Sequence, residues 1–177
     1  MFHLKKRKNF FRISQLIMLA VFLLMLSGCS TGENSDTAGT EQYCTISISC
    51  SMALEHADRL PENLAEMLPE DGWILKPVQI DLKDGDTVLD VLLRAVREHN
   101  IHMEYVDTPL YDSAYIEGIG NLYEFDAGDH SGWMYSVNGE FPNYGCSSSE
   151  VADGDVICWV YTCDLGKDVG SRYEVQQ

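Results

Sequence analysis

One segment constrains the fold of this chain more than any other. "TVLDVLLRAVREHN", Thr87 to Asn100, is the lone long amphipathic stretch in a sequence otherwise built of short alternating runs. Thr87 is a good N-cap residue and Asp90 stands three positions on, so the two can satisfy each other's backbone N–H in a capping-box-like start. Leu89, Leu92, Leu93 and Val96 recur at helical spacing and predict the buried stripe. A lone helix has no second helix to bury such a stripe against. It needs a sheet, which points to an α+β domain with the main helix at about 87–100 covering one face.

The flanking sequence supplies that sheet. "CTISIS" alternates Ile46 and Ile48 with Thr45, Ser47 and Ser49, the period of a half-buried strand. "LPENLAEML" reads as a short helix, with Pro61 near its first turn, Pro69 just past its end, and Leu64, Met67 and Leu68 on one side. "WILKPVQIDL" is extended and "KDGD" turns the chain into the long helix. "IHMEYV" alternates again, and "YIEGIGNLYEF" predicts two short strands around Gly118 and Gly120. "SGWMYSVNGEF" predicts a hairpin on a type I′ turn at Asn138-Gly139, and "DVICWVYT" is the last strand. These short segments, mostly hairpin-linked, make a mostly antiparallel sheet.

The N-terminal part has a different character. Lys5, Lys6, Arg7, Lys8 and Arg12 precede the apolar run "LIMLAVFLLML", the layout of an export signal over residues 1–28. That run is too short to span a bilayer comfortably, and no other segment is apolar for long enough. "LSGC", ending at Cys29, matches a bacterial lipobox. The match implies cleavage before Cys29, acylation of that residue, and a protein anchored by lipid to the cell membrane and facing outside the cytoplasm. Residues 29–42 contain no large apolar group until Tyr43 and read as a flexible tether. Without the first 28 residues, 28 acidic side chains face seven basic ones, a formal charge of −21 that repels nucleic acid and anionic lipid.

Five cysteines follow the tether: Cys44, Cys50, Cys146, Cys158 and Cys163. In an exported protein they are disulfide candidates, with at most two bridges and one thiol left over. Cys44 and Cys50 on one straight strand lie about 20 Å apart, beyond bridging reach, and need partners elsewhere. No C-x-x-C pair or close Cys/His cluster supports a zinc site, so no metal ligands are expected.

Four blocks carry a resemblance to a known family: "DGDTVLDVLL", "YIEGIGNLYEF", "SGWMYSVNGEFPNYG" and "DGDVICWVYT". In order and spacing they resemble the transcobalamin-like C-terminal domain, a bacterial family in the soluble-ligand-binding β-grasp group. Its wider relatives include a domain of the vertebrate cobalamin carriers. The likeness runs from about Pro77 to Gly166 and implies a β-grasp-like domain over 77–177, with 43–76 an additional strand and short helix packed on it. It implies non-catalytic binding of a soluble, cobalamin-like ligand, with a corrinoid as the bound molecule.

The residues that would do this lie in the third block. On a strand, Trp133, Tyr135 and Val137 share one face, where the rings either fill the core beneath the helix or meet a ligand. After the turn at Asn138, Pro142 and Gly145 interrupt strand pairing and place Phe141, Asn143 and Tyr144 on a loop at the sheet edge. Aromatic faces beside amides suit a flat, amide-decorated ligand, because stacking supplies area and amides fix orientation. The ligand-contacting set is therefore Trp133, Tyr135, Asn138, Phe141, Asn143 and Tyr144, with Tyr123 and Trp159 as possible neighbours. Catalysis has weaker support. The histidines fall in no nucleophile or metal motif, and the consecutive residues Asp129, His130 and Ser131 do not have the geometry of a triad. Glu124, Asp126 and Asp129 have no EF-hand spacing and read as an acidic turn. The other reading of an anchored exported domain of this kind is a surface adhesion or scaffold module that binds a protein or cell-wall partner.

Overall fold

The computed structural model describes residues 41–108 and 113–171; the export signal, Cys29 and the tether as far as residue 40 lie outside them. The fold is α+β and β-grasp-like. Strand β1 (Tyr43–Ser49) leads into helix α1 (Ser51–Glu55) and helix α2 (Leu64–Met67), followed by β2 (Trp73–Asp81) and helix α3 (Val88–Glu98). The chain continues as β3 (Met103–Thr108), β4 (Ser113–Ile119), β5 (Leu122–Tyr123), β6 (Gly132–Val137) and β7 (Val156–Thr162).

Four strands form the main sheet in the order β2-β1-β7-β6. The β1–β2 and β6–β7 pairs are antiparallel, whereas β1 and β7 run parallel in the centre. β1 is therefore a central strand rather than an addition to the module, and the boundary expected at 76/77 falls inside β2. Pro77 is accommodated because β2 is an edge strand and its register against β1 shifts there, between the Ile46–Val78 and Ile48–Leu75 pairs. β3, β4 and β5 form a second antiparallel sheet, with Gly120 and Asn121 both at positive φ in the two-residue turn between β4 and β5.

α3 begins as the sequence predicts. Thr87 Oγ1 accepts from the Asp90 N–H at 3.3 Å, and Asp90 Oδ2 accepts from the Thr87 N–H at 2.9 Å. Its buried face, however, is rotated from the predicted stripe: Val88, Val91, Leu92, Ala95 and Val96 are buried, whereas Leu89 and Leu93 lie half-exposed at its margins. This face packs on Cys44, Ile46 and Ile48 of β1, Leu75 and Ile80 of β2, and Ile157 and Trp159 of β7, with Ala114, Ile116 and Ile119 of β4 closing the core. Full burial of a side chain such as Leu92 is worth about 2–3 kcal/mol. A second cluster at the other end of the sheet joins α1 and β5 through Cys50, Ala53, Leu122, Tyr161 and Cys163.

The expected disulfides are absent among the described residues: Cys44, Cys50, Cys146, Cys158 and Cys163 are all free thiols. Four of them behave as small core residues. Burial pushes Cys44, Cys50, Cys146 and Cys163 up to about 11, so each stays a neutral, unreactive thiol near neutral pH. Cys44 lies on β1, whereas Cys50 falls just past its end as the residue before α1, and each is absorbed by a different core cluster.

A buried ion pair secures the entry to α3. Arg94 gives a two-pronged bond to Asp86, at 2.8 and 2.9 Å, and also donates to the Asp81 carbonyl at 2.7 Å. The Lys83 N–H donates to the same Asp86 carboxylate at 2.7 Å, which closes the turn between β2 and α3. Burial works to raise the Asp86 carboxyl, but the Arg94 bonds and charge together with the Lys83 N–H outweigh it and hold the group below its ordinary range.

Candidate functional site

The aromatic segment divides into core and surface at its turn. Trp133 packs edge-on against Tyr161 with ring centres 5.3 Å apart, and its indole N–H donates to the Leu122 carbonyl at 2.9 Å, tying β5 to β6. Tyr135 is buried, lies 5.3 Å from the Trp159 ring, and donates its O–H to the Tyr144 carbonyl at 2.9 Å. It holds the following loop from beneath. Asn138 and Gly139 take the positive φ values of the predicted turn, and the Asn138 side chain bonds to Asp155 and to the Val156 N–H. The return strand is only an isolated bridge at Glu140, since β6 pairs with β7 instead.

Beyond that bridge the chain runs as a loop whose Phe141 is half-buried and whose Asn143 and Tyr144 are exposed. The loop is pinned along β4. The Ala114 N–H donates to Ser147 Oγ at 3.0 Å, and the Cys146 thiol donates to the Ala114 carbonyl at 3.7 Å. It is pinned to α3 as well, because the Val88 N–H donates to the Ser149 carbonyl at 2.8 Å. Between loop and strand lies a hollow of about 470 Å³, bounded by Ser113, Ala114 and Tyr115 on one side and by Pro142, Asn143, Tyr144, Gly145 and Ser148 on the other. Of the six residues predicted to contact a ligand, Asn143 and Tyr144 line this hollow. Trp133 and Tyr135 are built into the framework, Asn138 into the turn, and Phe141 is not among its walls.

Sequence reasoning missed the β4 wall. The alternation of Tyr115 and Glu117 against buried Ala114 and Ile116 was the available signal, since it marks Tyr115 as an outward-facing ring. Tyr115 donates its O–H to Glu124, and burial, then that carboxylate, push the phenol well above its ordinary range, so it stays neutral. Tyr123 belongs elsewhere, in an exposed cluster where its O–H donates to Glu104 at 2.8 Å beside His102. Asp126 accepts from the Tyr123 N–H, and Ser131 bonds to Tyr161 in the interior, whereas its neighbour His130 is exposed.

Gly145 marks the closest approach of the two walls. Its φ is −72°, an ordinary value, so the need for glycine is steric: a Cβ there would lie 1.4 Å from Ser113 Oγ and 2.4 Å from Ser113 Cβ. Gly145→Ala is expected to destabilise the domain by about 1–3 kcal/mol. Adding Ser113→Gly should recover most of that loss in a thermal unfolding measurement. Additive losses would show that the loop does not rest on β4.

Residues 85–163 match a family described as a domain of unknown function, DUF4430. The matched span lies within the Pro77–Gly166 stretch that resembles the transcobalamin-like domain. It runs from the turn before α3 through β7 and omits β1 and β2. Among solved structures, the chain is similar to a candidate metal-binding protein from Ruminococcus gnavus ATCC 29149, at 14% identity and a TM-score of 0.40, over 69% of this chain and 97% of that one. It is also similar to haptocorrin in complex with Cbi, at 17% identity and a TM-score of 0.45, over 71% of this chain and 26% of that one. The chain thus spans about a quarter of the haptocorrin's length. No curated protein matches it.

Proposed function

We propose that the hollow between β4 and the 142–148 loop captures a soluble ligand without transforming it, and that the domain does so outside the cytoplasm, tethered to the cell membrane through a lipid on Cys29. The observation that carries this reading is the placement of exposed Asn143 and Tyr144 beside an open hollow of about 470 Å³, within the size range of small-molecule sites. Its walls combine aromatic faces with amide and hydroxyl groups, the mixture that suits a flat, amide-bearing molecule. The sequence resemblance makes a corrinoid the first ligand to try.

The test is a calorimetric titration of the full chain with cobalamin. Binding is expected, and Tyr144→Ala should weaken it about tenfold, the worth of one lost aromatic contact. No heat of binding at high micromolar cobalamin would remove the corrinoid from the reading. A scaffold role draws on a different feature: β3 is an edge strand whose Glu104, Tyr105, Val106 and Asp107 are all exposed. Strand addition there would leave cobalamin binding untouched.

A further inference from the structure

We propose that the hollow selects an organic ammonium group, held between the rings of Tyr115 and Tyr144. The inference rests on the reading that the hollow is a ligand site and adds the charge of what it takes. Both residues stand open, at 46% and 55% exposure, and neither takes part in the core ring contacts of Trp133 with Tyr161 and Tyr135 with Trp159 among the described residues. Both line the hollow, and an aromatic face presents negative charge to a cation.

The surroundings reinforce that sign. None of the described wall residues is charged, and neither lysine nor arginine is among them. The Tyr115 hydroxyl is already committed to Glu124, so it cannot serve as a donor to an anionic guest, whereas the carboxylate behind it adds attraction for a positive one. Glu117 follows on the same strand face as Tyr115. An anion would meet this negative field without a cationic partner, and a neutral guest would gain stacking and hydrogen bonds but nothing from the field. A cation gains two ring faces and a nearby carboxylate. The larger hollow of about 540 Å³ against α3 has no such bias, because Lys83, Arg94 and Arg97 are offset there by Asp81, Asp90 and Glu98.

Choline and its uncharged isostere 3,3-dimethyl-1-butanol, titrated into the full chain in dodecyl maltoside micelles, separate charge from shape. Choline is expected to bind about tenfold more tightly than the isostere. Glu124→Gln and Tyr144→Leu should each weaken choline several-fold with an unchanged melting temperature, and the ring resonances of Tyr115 and Tyr144 should shift on binding. A blocked lysine-centred tripeptide tests the source of the ammonium: tighter binding than choline assigns it to a peptide side chain, weaker binding to a free amine, and either supports the inference. Equal binding of choline and isostere at these tyrosines overturns the cation assignment and leaves the hollow as a ligand site. Cobalamin binding without choline binding has the same meaning. Failure of both ligands removes the inference and the capture reading together.

Discussion

Arg94→Met is expected to lower the unfolding free energy by about 3 kcal/mol, because it leaves the Asp86 carboxylate in the interior with its charge uncompensated. The side chains of Asp86 and Arg94 are 8% and 17% exposed, so the carboxylate is largely shielded from water. Adding Asp86→Asn should recover most of the loss, since the amide carries no charge and still offers an oxygen to the Lys83 N–H. The pH dependence follows from the same pair. In the native chain the Asp86 carboxyl lies below its ordinary value of 3.8, so the pair's stabilisation is complete above that value and is lost as pH falls through the lower, folded value. In Arg94→Met burial is opposed only by the Lys83 N–H and charge and raises the carboxyl relative to the native chain, so the variant's deficit should shrink on acidification from neutrality towards pH 4.5. Denaturant unfolding across this range measures both effects. A deficit that grows with acid would show that Arg94 acts through its packing rather than its charge.

Trp159→Ala should cost about 3–5 kcal/mol, the largest loss expected of any single truncation in this core. Trp159 is 2% exposed and stands where β1, β6 and β7 meet, opposite Ile48 on one side and Tyr135 on the other. Its indole N–H is buried without a hydrogen-bond partner among the described residues. An unpaired buried donor costs about 1–3 kcal/mol, and phenylalanine has none to bury. Trp159→Phe is therefore expected to lose less than half as much as Trp159→Ala in thermal unfolding. Equal losses would mean that the indole N–H is satisfied in the folded chain and that losing its bond, rather than ring volume, decides. Trp159 also backs Tyr135, whose hydroxyl holds the Tyr144 carbonyl, so the alanine variant should loosen the wall of the hollow and weaken ligand capture as well.

The aromatic segment shows how far local pattern reaches. Alternation correctly put Trp133 and Tyr135 on one face, and Pro142 with Gly145 correctly ended the strand. Neither signal could say that Tyr135 would hold the loop rather than a ligand, since that depends on a carbonyl nine residues away being brought back over the ring. The helix stripe carries a similar lesson. Leu92 and Val96 of the predicted stripe are buried, but Val88, Val91 and Ala95 complete that face in place of Leu89 and Leu93, which local spacing could not decide because it depends on how the helix is rotated against the sheet. The cysteines attracted a disulfide reading through compartment and number, whereas burial in separate clusters made them core residues.

What the sequence determined by itself is local: the capped start of α3 at Thr87, the turn at Asn138-Gly139, the alternation of β1, and a strongly acidic surface. These features depend on contacts within a few residues, where one side chain's chemistry settles the outcome. Strand order, the parallel seating of β1 against β7, and the meeting of Ala114 with Ser147 across 33 positions were decided only by tertiary structure. Such contacts are chosen by which surfaces fit once distant segments have closed on each other. The hollow is made of two walls far apart in the chain and exists only after that closure.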